Sequence, residues 1–436
     1  MKPISYKIIR NCSLLIASFL LFVCLTNIDN TEHKNNVKNI DHQSFYLDCV
    51  LYGITATETD TFSVVKGFDA LEKRDTGNIT ILPFVKWKGK DYPVKSIDRG
   101  AFLGCTGLSH IEIPDQIINI GEEAFKNCTD LTRVHIPESV QKIGQDAFSG
   151  CVNLSAITVD SENGFYDSRD NCNAIIETAK NRLIVGCHNT QIPTSVTRIG
   201  TKAFADCKQL TCIEIPDNVK YLEEGAFSGC SQLSGIVLPA GITSLPAEVF
   251  SGCSSLTDFT IPTNVLSIYS DAFANCSSLI SIVIPQNVSM ISDHSFKGCS
   301  NLARITVHPD NAFYDSRNDC NAIIKTSGNV LLVGCKTSII PNGVTEIASA
   351  FWGCSKLKSI TVPESVTHIR AWAFSYCISL RKMILEQKDP GKIEFGESDF
   401  PEYDDYAKVT LYVPKGCREV YRNAPWTKGF ADIEEW

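Results

Sequence analysis

The chain has 436 residues, of which 44% are hydrophobic and 20% are charged, as expected for an ordinary folded protein. Length alone predicts two or three globular domains. The net charge of −9 argues against a nucleic-acid-binding role, which usually needs a basic surface.

The first 27 residues have the features of a targeting segment. Three basic residues precede an apolar run that ends at Leu25, and the run has the length of a signal-peptide core and is short for a membrane span. The run ends in a sequence similar to a bacterial lipoprotein box, although Val23 is larger than the residue this box requires. We therefore predict export, with lipidation of Cys24 favoured and an uncleaved signal anchor or cleavage elsewhere as alternatives. The polar residues 28–43 predict a tether.

Residues 44–95 predict a β-rich N-terminal cap, because short runs of β-favouring residues alternate with Gly, Asp and Thr turns. The segment 85–94 predicts a hairpin with Gly89 in its turn. Such a cap would cover the apolar end and the open strand edge of the repeat array that follows.

A 23-residue repeat occupies residues 96–385. Its frame is Ala-Phe-x-x-Cys-x-x-Leu-x-x-Ile-x-Ile-Pro, and its Phe recurs ten times, at positions 102, 125, 148, 204, 227, 250, 273, 296, 351 and 374. The residues after Leu alternate as in a half-buried strand, which Pro ends. A fixed period predicts a mainly β solenoid, in which each unit buries its apolar face against its neighbours.

Two elongated repeats, at about 160–192 and 308–340, interrupt the 23-residue period. Both contain Phe-Tyr-Asp-Ser-Arg and, after two further residues, Cys-Asn-Ala-Ile-Ile, and each predicts a β-hairpin. The first hairpin joins 174–177 to 182–185. The aromatic pairs 165–166 and 313–314 would be buried staples or contact points, and burial is favoured because paired aromatic residues usually pack.

Nineteen cysteines in an exported chain would normally indicate disulfide bonds. Ten of them, however, occupy one position per repeat, so their side chains would all point towards the interior and not towards each other. We therefore predict a column of reduced, packed thiols. The pairs Cys172–Cys187 and Cys320–Cys335, which have the same spacing in the two elongated repeats, remain disulfide candidates.

Residues 386–436 predict a C-terminal cap. Residues 408–414 are expected to form a strand and 415–423 a short helix, with Trp426, Phe430 and Ile433 as apolar anchors.

The repeat frame, the Tyr-Asp-Ser-Arg segments and the Tyr-Val-Pro-Lys-Gly…Tyr-Arg-Asn-Ala-Pro-Trp ending together resemble the BspA-like leucine-rich repeat family of bacterial surface proteins. The resemblance covers about residues 45–436. It implies a right-handed leucine-rich-repeat coil of about ten 23-residue repeats. It also implies a cell-surface protein associated with adhesion to host matrix proteins or to other microbes.

The sequence contains no motif of a catalytic, nucleotide-binding or metal centre. Its histidines occupy different positions in different repeats, so they would not stack into one site. The acidic run Asp399, Glu402, Asp404 and Asp405 could bind Ca²⁺, but its spacing is not that of an EF-hand, and a solvated loop is favoured. We expect no cofactor and no metal.

The outward positions of the repeat strands are the candidate partner-binding residues. They lie two and four residues after the repeat Leu, and the candidates are Arg133, His135, Thr158, Glu214, Asp258, Thr260, Arg304, Thr306 and Thr361.

The leading hypothesis is an exported, non-catalytic protein that is held at the cell surface or outer membrane, or is secreted, and binds a protein partner on host matrix or other cells. It predicts membrane contact only through the N-terminus, and neither a nucleic-acid partner nor a small-molecule substrate. The alternative is a structural component of the cell envelope that recognises no host ligand. An enzyme with a site built from one column of the solenoid is the third possibility.

Overall fold

A computed structural model describes residues 39–41, 44–47, 50–56, 61–67, 77–87, 89–396 and 406–436. The predicted targeting segment with Cys24, most of the tether, Cys49 and the acidic run 399–405 lie outside these residues. The described chain is a β-solenoid of about 14 turns with little helix, which confirms the predicted fold class.

One side of the solenoid, here called the long-strand face, carries the strand predicted after the repeat Leu. Neighbouring strands pair in parallel, and the paired residues usually lie one repeat apart, as Arg133 and Ala156 do. The strands of this face are Asn78–Thr80, His110–Glu112, Arg133–Ile136, Ala156–Val159, Ser281–Ile284, Arg304–Val307, Ser359–Val362, Lys382–Leu385, Thr410–Val413 and Asp432–Glu435.

The prediction of a strand after the Leu of every repeat is wrong for three described repeats, those that contain Leu210, Leu233 and Leu256. They contribute only one bridge, between Glu214 and Val237. Gly235 and Asp258 stand at outward strand positions here, and both residue types are depleted in strands. The chain keeps its course because the inward apolar residues remain buried.

A second side, the short-strand face, is formed by pairs of residues that also pair in parallel from turn to turn. Its strands are Asn119–Ile120, Lys142–Ile143, Arg198–Ile199, Tyr221–Leu222, Ser244–Leu245, Ser267–Ile268, Met290–Ile291, Glu346–Ile347, His368–Ile369 and Glu394–Phe395. The third side, the turn face, consists of the turns around each repeat Phe.

The repeat Phe and Cys residues build the core between the faces. Successive Phe rings stack, for example Phe102 on Phe125 with ring centroids 5.1 Å apart. Seven repeat thiols donate to the carbonyl oxygen of the Phe in the turn before, at 3.0–3.2 Å, as Cys128 does to Phe102. No disulfide bond joins any of the described cysteines. The predicted column of packed thiols is present.

The two elongated repeats contain the predicted hairpins. Their strands are Tyr166–Asp167, Ala174–Glu177 and Arg182–Gly186 in the first, and Tyr314–Asp315, Ile323–Lys325 and Val330–Val333 in the second. Each set is antiparallel, and its last strand joins the parallel ladder of the short-strand face. The first strand of each set was not predicted, because two residues give no alternating pattern.

The aromatic pairs of the elongated repeats are divided between core and surface. Tyr166 and Tyr314 are buried, and their hydroxyls accept hydrogen bonds from the N–H groups of Ile143 and Ile291 at 2.9 Å. Phe165 and Phe313 are half exposed. The predicted burial is therefore wrong for both Phe residues, since successive residues of an extended chain point to opposite sides.

The ends of the solenoid differ from the central repeats. At the N-terminal end the strands Asn39–Asp41, Ser44–Leu47, Val50–Ala56, Thr61–Gly67, Phe84–Trp87 and Lys90–Ile97 form a sheet that continues into the short-strand face. The last two pair in antiparallel fashion across Gly89, where the hairpin was predicted. At the C-terminal end the helix Arg418–Arg422 lies within the predicted 415–423, and Trp426 stacks on Phe395.

Candidate functional site

All nine candidate residues lie on the long-strand face. Seven are exposed, whereas Thr306 and Thr361 are half-buried. They share a face because the intervening strand residues, such as Val134 and Ile305, point into the core.

The structure brings some candidates together along this face. His135 Nδ1 lies 2.9 Å from Thr158 Oγ1 in the next turn, and Arg133 donates to His110 Nδ1 at 3.3 Å. Further along the face, Lys382 Nζ lies 4.2 Å from the centroid of the Tyr412 ring. These contacts join residues of neighbouring turns, so the face is a row of adjacent side chains and not a converging pocket.

The centre of the long-strand face is low in relief and exposes two aliphatic side chains. Val237 is 83% exposed, Val283 is more than half exposed, and Gly235 contributes no side chain. The exposed carboxylates of Glu214 and Asp258 lie beside them, and further charged side chains lie towards the two ends. Exposed aliphatic side chains among polar ones are common in protein–protein interfaces. Val237 was not among the candidate residues. The sequence feature that could have identified it is an aliphatic side chain at an outward strand position.

A cavity of about 170 Å³ lies where the first hairpin enters the solenoid. The first elongated repeat contributes no turn to the turn face. The turns before and after it therefore meet directly, and Gly150 N–H donates to the Ala205 carbonyl oxygen at 3.5 Å. The walls include Phe148 and the charged groups Asp146 and Lys202. Asp146 and Lys202 form an ion pair of 3.1 Å that joins these two turns beside the cavity.

The sequence did not reveal the charged network beside this cavity. Arg182 of the hairpin donates two hydrogen bonds to the Glu223 carboxylate, at 3.0 and 2.6 Å, and Thr201 donates two more. Burial alone would raise the pKa of Glu223, but Arg182 and Thr201 outweigh it and lower the pKa to about 2. Both partners belong to earlier turns of the chain, so only folding brings them to Glu223.

Sequence reasoning also missed an aromatic cluster on the turn face at the second hairpin. We define the turn-face aromatic cluster as His294, Trp352, Trp372 and Tyr376. Its signal was present in the sequence. The positions two before and two after the repeat Phe, which hold His294, Trp372 and Tyr376, otherwise hold small or polar residues, and the position directly after the Phe holds no aromatic residue besides Trp352.

In the part of the chain that the structure describes, no group of three or more His, Cys, Asp or Glu side chains is arranged to hold a metal ion. No helix among the described residues has the length and hydropathy needed to cross a membrane.

A family profile described as the BspA type leucine rich repeat region matches the chain in six copies, over residues 91–173, 185–303 and 333–424. These segments make up well over half of the chain. No curated protein matches it.

Several solved structures resemble the chain. A leucine rich cell surface protein from Faecalibacterium prausnitzii is 23% identical, with 91% of this chain and 95% of that chain covered and a TM-score of 0.44. A leucine-rich repeat protein from Bacteroides ovatus is also 23% identical, with coverage of 90% and 99% and a TM-score of 0.43. The leucine rich repeat protein of T. pallidum is 24% identical, with coverage of 58% and 88% and a TM-score of 0.31.

Proposed function

Because the chain belongs to the BspA-type leucine-rich repeat family, we propose that it is an exported, non-catalytic protein of the cell surface that binds a protein partner through its long-strand face. The partner is a host matrix protein or a surface protein of another cell. The basic and apolar features of residues 1–27 support export.

The observation that carries this proposal is the exposure of Val237 and Val283 on the long-strand face. The neighbouring outward positions hold Thr, Ser and charged residues. Exposed aliphatic side chains add nothing to the core, but a flat partner would bury them. Charged groups towards the ends would orient that partner and adjust its association rate.

A pull-down with the full chain tests the proposal. The chain, immobilised through its C-terminus, is exposed to purified fibronectin, fibrinogen, collagen and laminin and to extracts of bacterial surface proteins. Captured proteins are compared with those held by the double variant Val237→Lys, Val283→Lys, which changes exposed side chains only. We expect a protein that the wild-type chain captures and the variant does not. Equal capture by both chains, or no capture by the wild-type chain, would contradict the proposal.

A further inference from the structure

His294, Trp352 and Trp372 of the turn-face aromatic cluster contact one another, and Tyr376 lies in the same turn as Trp372. Trp352 and Trp372 lie with ring centroids 5.4 Å apart and ring planes 16° apart. His294 meets Trp352 edge-on at 4.6 Å, and Lys297 Nζ lies 5.2 Å from the Trp352 ring centroid. Trp372 is 38% exposed and Tyr376 53% exposed, so both aromatic side chains offer surface to solvent.

Trp372 and Tyr376 occupy backbone positions that disfavour large side chains. Their φ angles are 67° and 59°, in the left-handed region, where a bulky residue is a rare outlier. In seven other repeats the position two before the Phe is also left-handed, and none of the seven residues is aromatic: Gly100, Glu123, Asp146, Lys202, Gly225, Glu248 and Asp271. The position two after the Phe holds only Gly, Asn or Asp in the nine repeats before Tyr376. Strain of this kind at an exposed site favours a functional role.

The first hairpin junction is a natural comparison for the second. The two junctions follow the same plan, because each brings the turns before and after an elongated repeat into direct contact. The first junction has Ala205, Gly225 and Gly229 where the second has Trp352, Trp372 and Tyr376. Joining a hairpin repeat to the solenoid therefore does not require these aromatic residues.

Polar groups flank the stack. Arg370 and Asp293 form an exposed ion pair at 3.7 Å, and Arg370 also contacts Glu346. Arg370 precedes Trp372 by two residues, and Asp293 is next to His294. The aromatic surface thus has hydrogen-bond donors and acceptors at its edge. A sugar ring requires this combination, since its apolar face covers an aromatic ring while its hydroxyls exchange hydrogen bonds with charged side chains.

We propose that the turn-face aromatic cluster binds a glycan, with Trp372 and Tyr376 stacking on sugar rings and Arg370 and Asp293 hydrogen-bonding their hydroxyls. Single-stranded nucleic acid also stacks on aromatic residues, but the net charge of −9 and the carboxylate of Asp293 disfavour a phosphate backbone. The site goes beyond the proposed protein-binding function and lies on a different face of the solenoid.

Titration of the full chain with laminarin, mannan, xylan and chitohexaose tests the proposal, with tryptophan fluorescence and affinity electrophoresis as readouts. The variants are Trp372→Gly and Tyr376→Asn, which install residue types that other repeats hold at the same left-handed positions. We expect at least one glycan to bind the wild-type chain and both variants to bind it about tenfold or more weakly. Their Tm should not fall, because each substitution relieves backbone strain.

Two control variants locate the binding. Tyr221→Ser removes an exposed aromatic residue from the short-strand face, and Val237→Lys changes the long-strand face; both should bind the glycan as the wild-type chain does. The proposal is overturned if none of the four glycans binds, if oligo(dT) binds in their place, or if Trp372→Gly binds with wild-type affinity. A loss of binding that accompanies a matching loss of Tm would also overturn it, because the cluster would then be structural.

Discussion

At the scale of the residue, the core is determined by close contacts between one turn and the next. Gly186 shows how little space separates the backbone of one turn from the Phe ring of the next. A Cβ atom at this position would lie 2.2 Å from Cε1 of Phe204, and Gly334 has the same relation to Phe351 at 2.3 Å. The elongated repeats thus place a glycine against the first ring of the Phe stack that follows. The left-handed turn positions impose an independent restriction, which favours Gly, Asn and Asp.

We expect Gly186→Ala to destabilise the chain by about 1–3 kcal/mol, because the added methyl group must displace the Phe204 ring and the rings stacked on it. Urea unfolding followed by circular dichroism measures the change. Gly235→Ala is the control, since a Cβ atom there would meet nothing within 4 Å. Equal unfolding midpoints for the two variants would show that the contact with Phe204 is not restrictive.

At the scale of the element, the hairpins are held by contacts that a linear pattern cannot show. The predicted hairpin strands follow from local alternation and turn residues, and 174–177 is found as predicted. The bonds of Arg182 with Glu223 and of Tyr166 with Ile143 join different turns of the solenoid, and only the stacking of those turns creates them. The role of the Tyr-Asp-Ser-Arg segment also became clear only from the structure, in which Arg169 donates hydrogen bonds to both Asp167 and Asn181 within the hairpin.

The strands of the long-strand face were also only partly predictable from the sequence pattern. The repeat frame predicted a strand in every repeat, and burial of the frame residues is confirmed. Strand pairing also depends on the outward residues, which the frame leaves unspecified, and Gly235 and Asp258 interrupt it. Cys187 was a disulfide candidate, yet it is a free, buried thiol that donates to the Asn173 carbonyl oxygen at 3.5 Å.

The Arg182–Glu223 contact predicts a pH dependence of stability. The pKa of Glu223 falls from 4.5 to about 2 on folding, so its contribution to stability is present above pH 4.5 and is lost as the pH falls towards 2. We expect Glu223→Gln to lower the urea midpoint at pH 7 and to have a much smaller effect at pH 3. Glu224→Gln, in an exposed neighbour, is the control. A constant difference between wild type and Glu223→Gln across this range would refute the assignment.

At the scale of the whole molecule, the solenoid packs three successive apolar clusters, and its faces differ in character. The long-strand face is low at its centre and exposes Val237 and Val283 there, and the turn face carries the aromatic cluster near its C-terminal end. The last strand, Asp432–Glu435, exposes Asp432, Glu434 and Glu435 at the open edge. Acidic side chains on an edge strand disfavour pairing with a second copy, which argues for partners that bind the faces.

The thiol column predicts that the whole molecule unfolds readily in alkaline solution. Burial raises the pKa of its thiols, to about 12 at Cys151, Cys207 and Cys253. Unfolded thiols ionise near pH 8.5, so stability is retained below this pH and is lost as the pH rises towards 12. Each buried thiol contributes about 1.4 kcal/mol per pH unit to the loss.

Urea unfolding under reducing conditions at pH 7 to 10.5 measures this dependence. Cys253→Ala should reduce the slope above pH 9, whereas Cys212→Ala, in an exposed residue, should leave it unchanged. Equal slopes for the three chains would contradict a buried, reduced column.

On the scale of the assembled solenoid, we propose that the long-strand face binds a protein partner while the repeat frame only supports that face. The decisive measurement is the Kd of the full chain for the protein that it captures, determined by surface plasmon resonance for the wild-type chain, for Val237→Lys and for Trp372→Gly. We expect Val237→Lys to weaken binding by about tenfold or more, as for a residue at the centre of an interface, and Trp372→Gly to retain the wild-type Kd. An unchanged Kd for Val237→Lys would contradict the proposal.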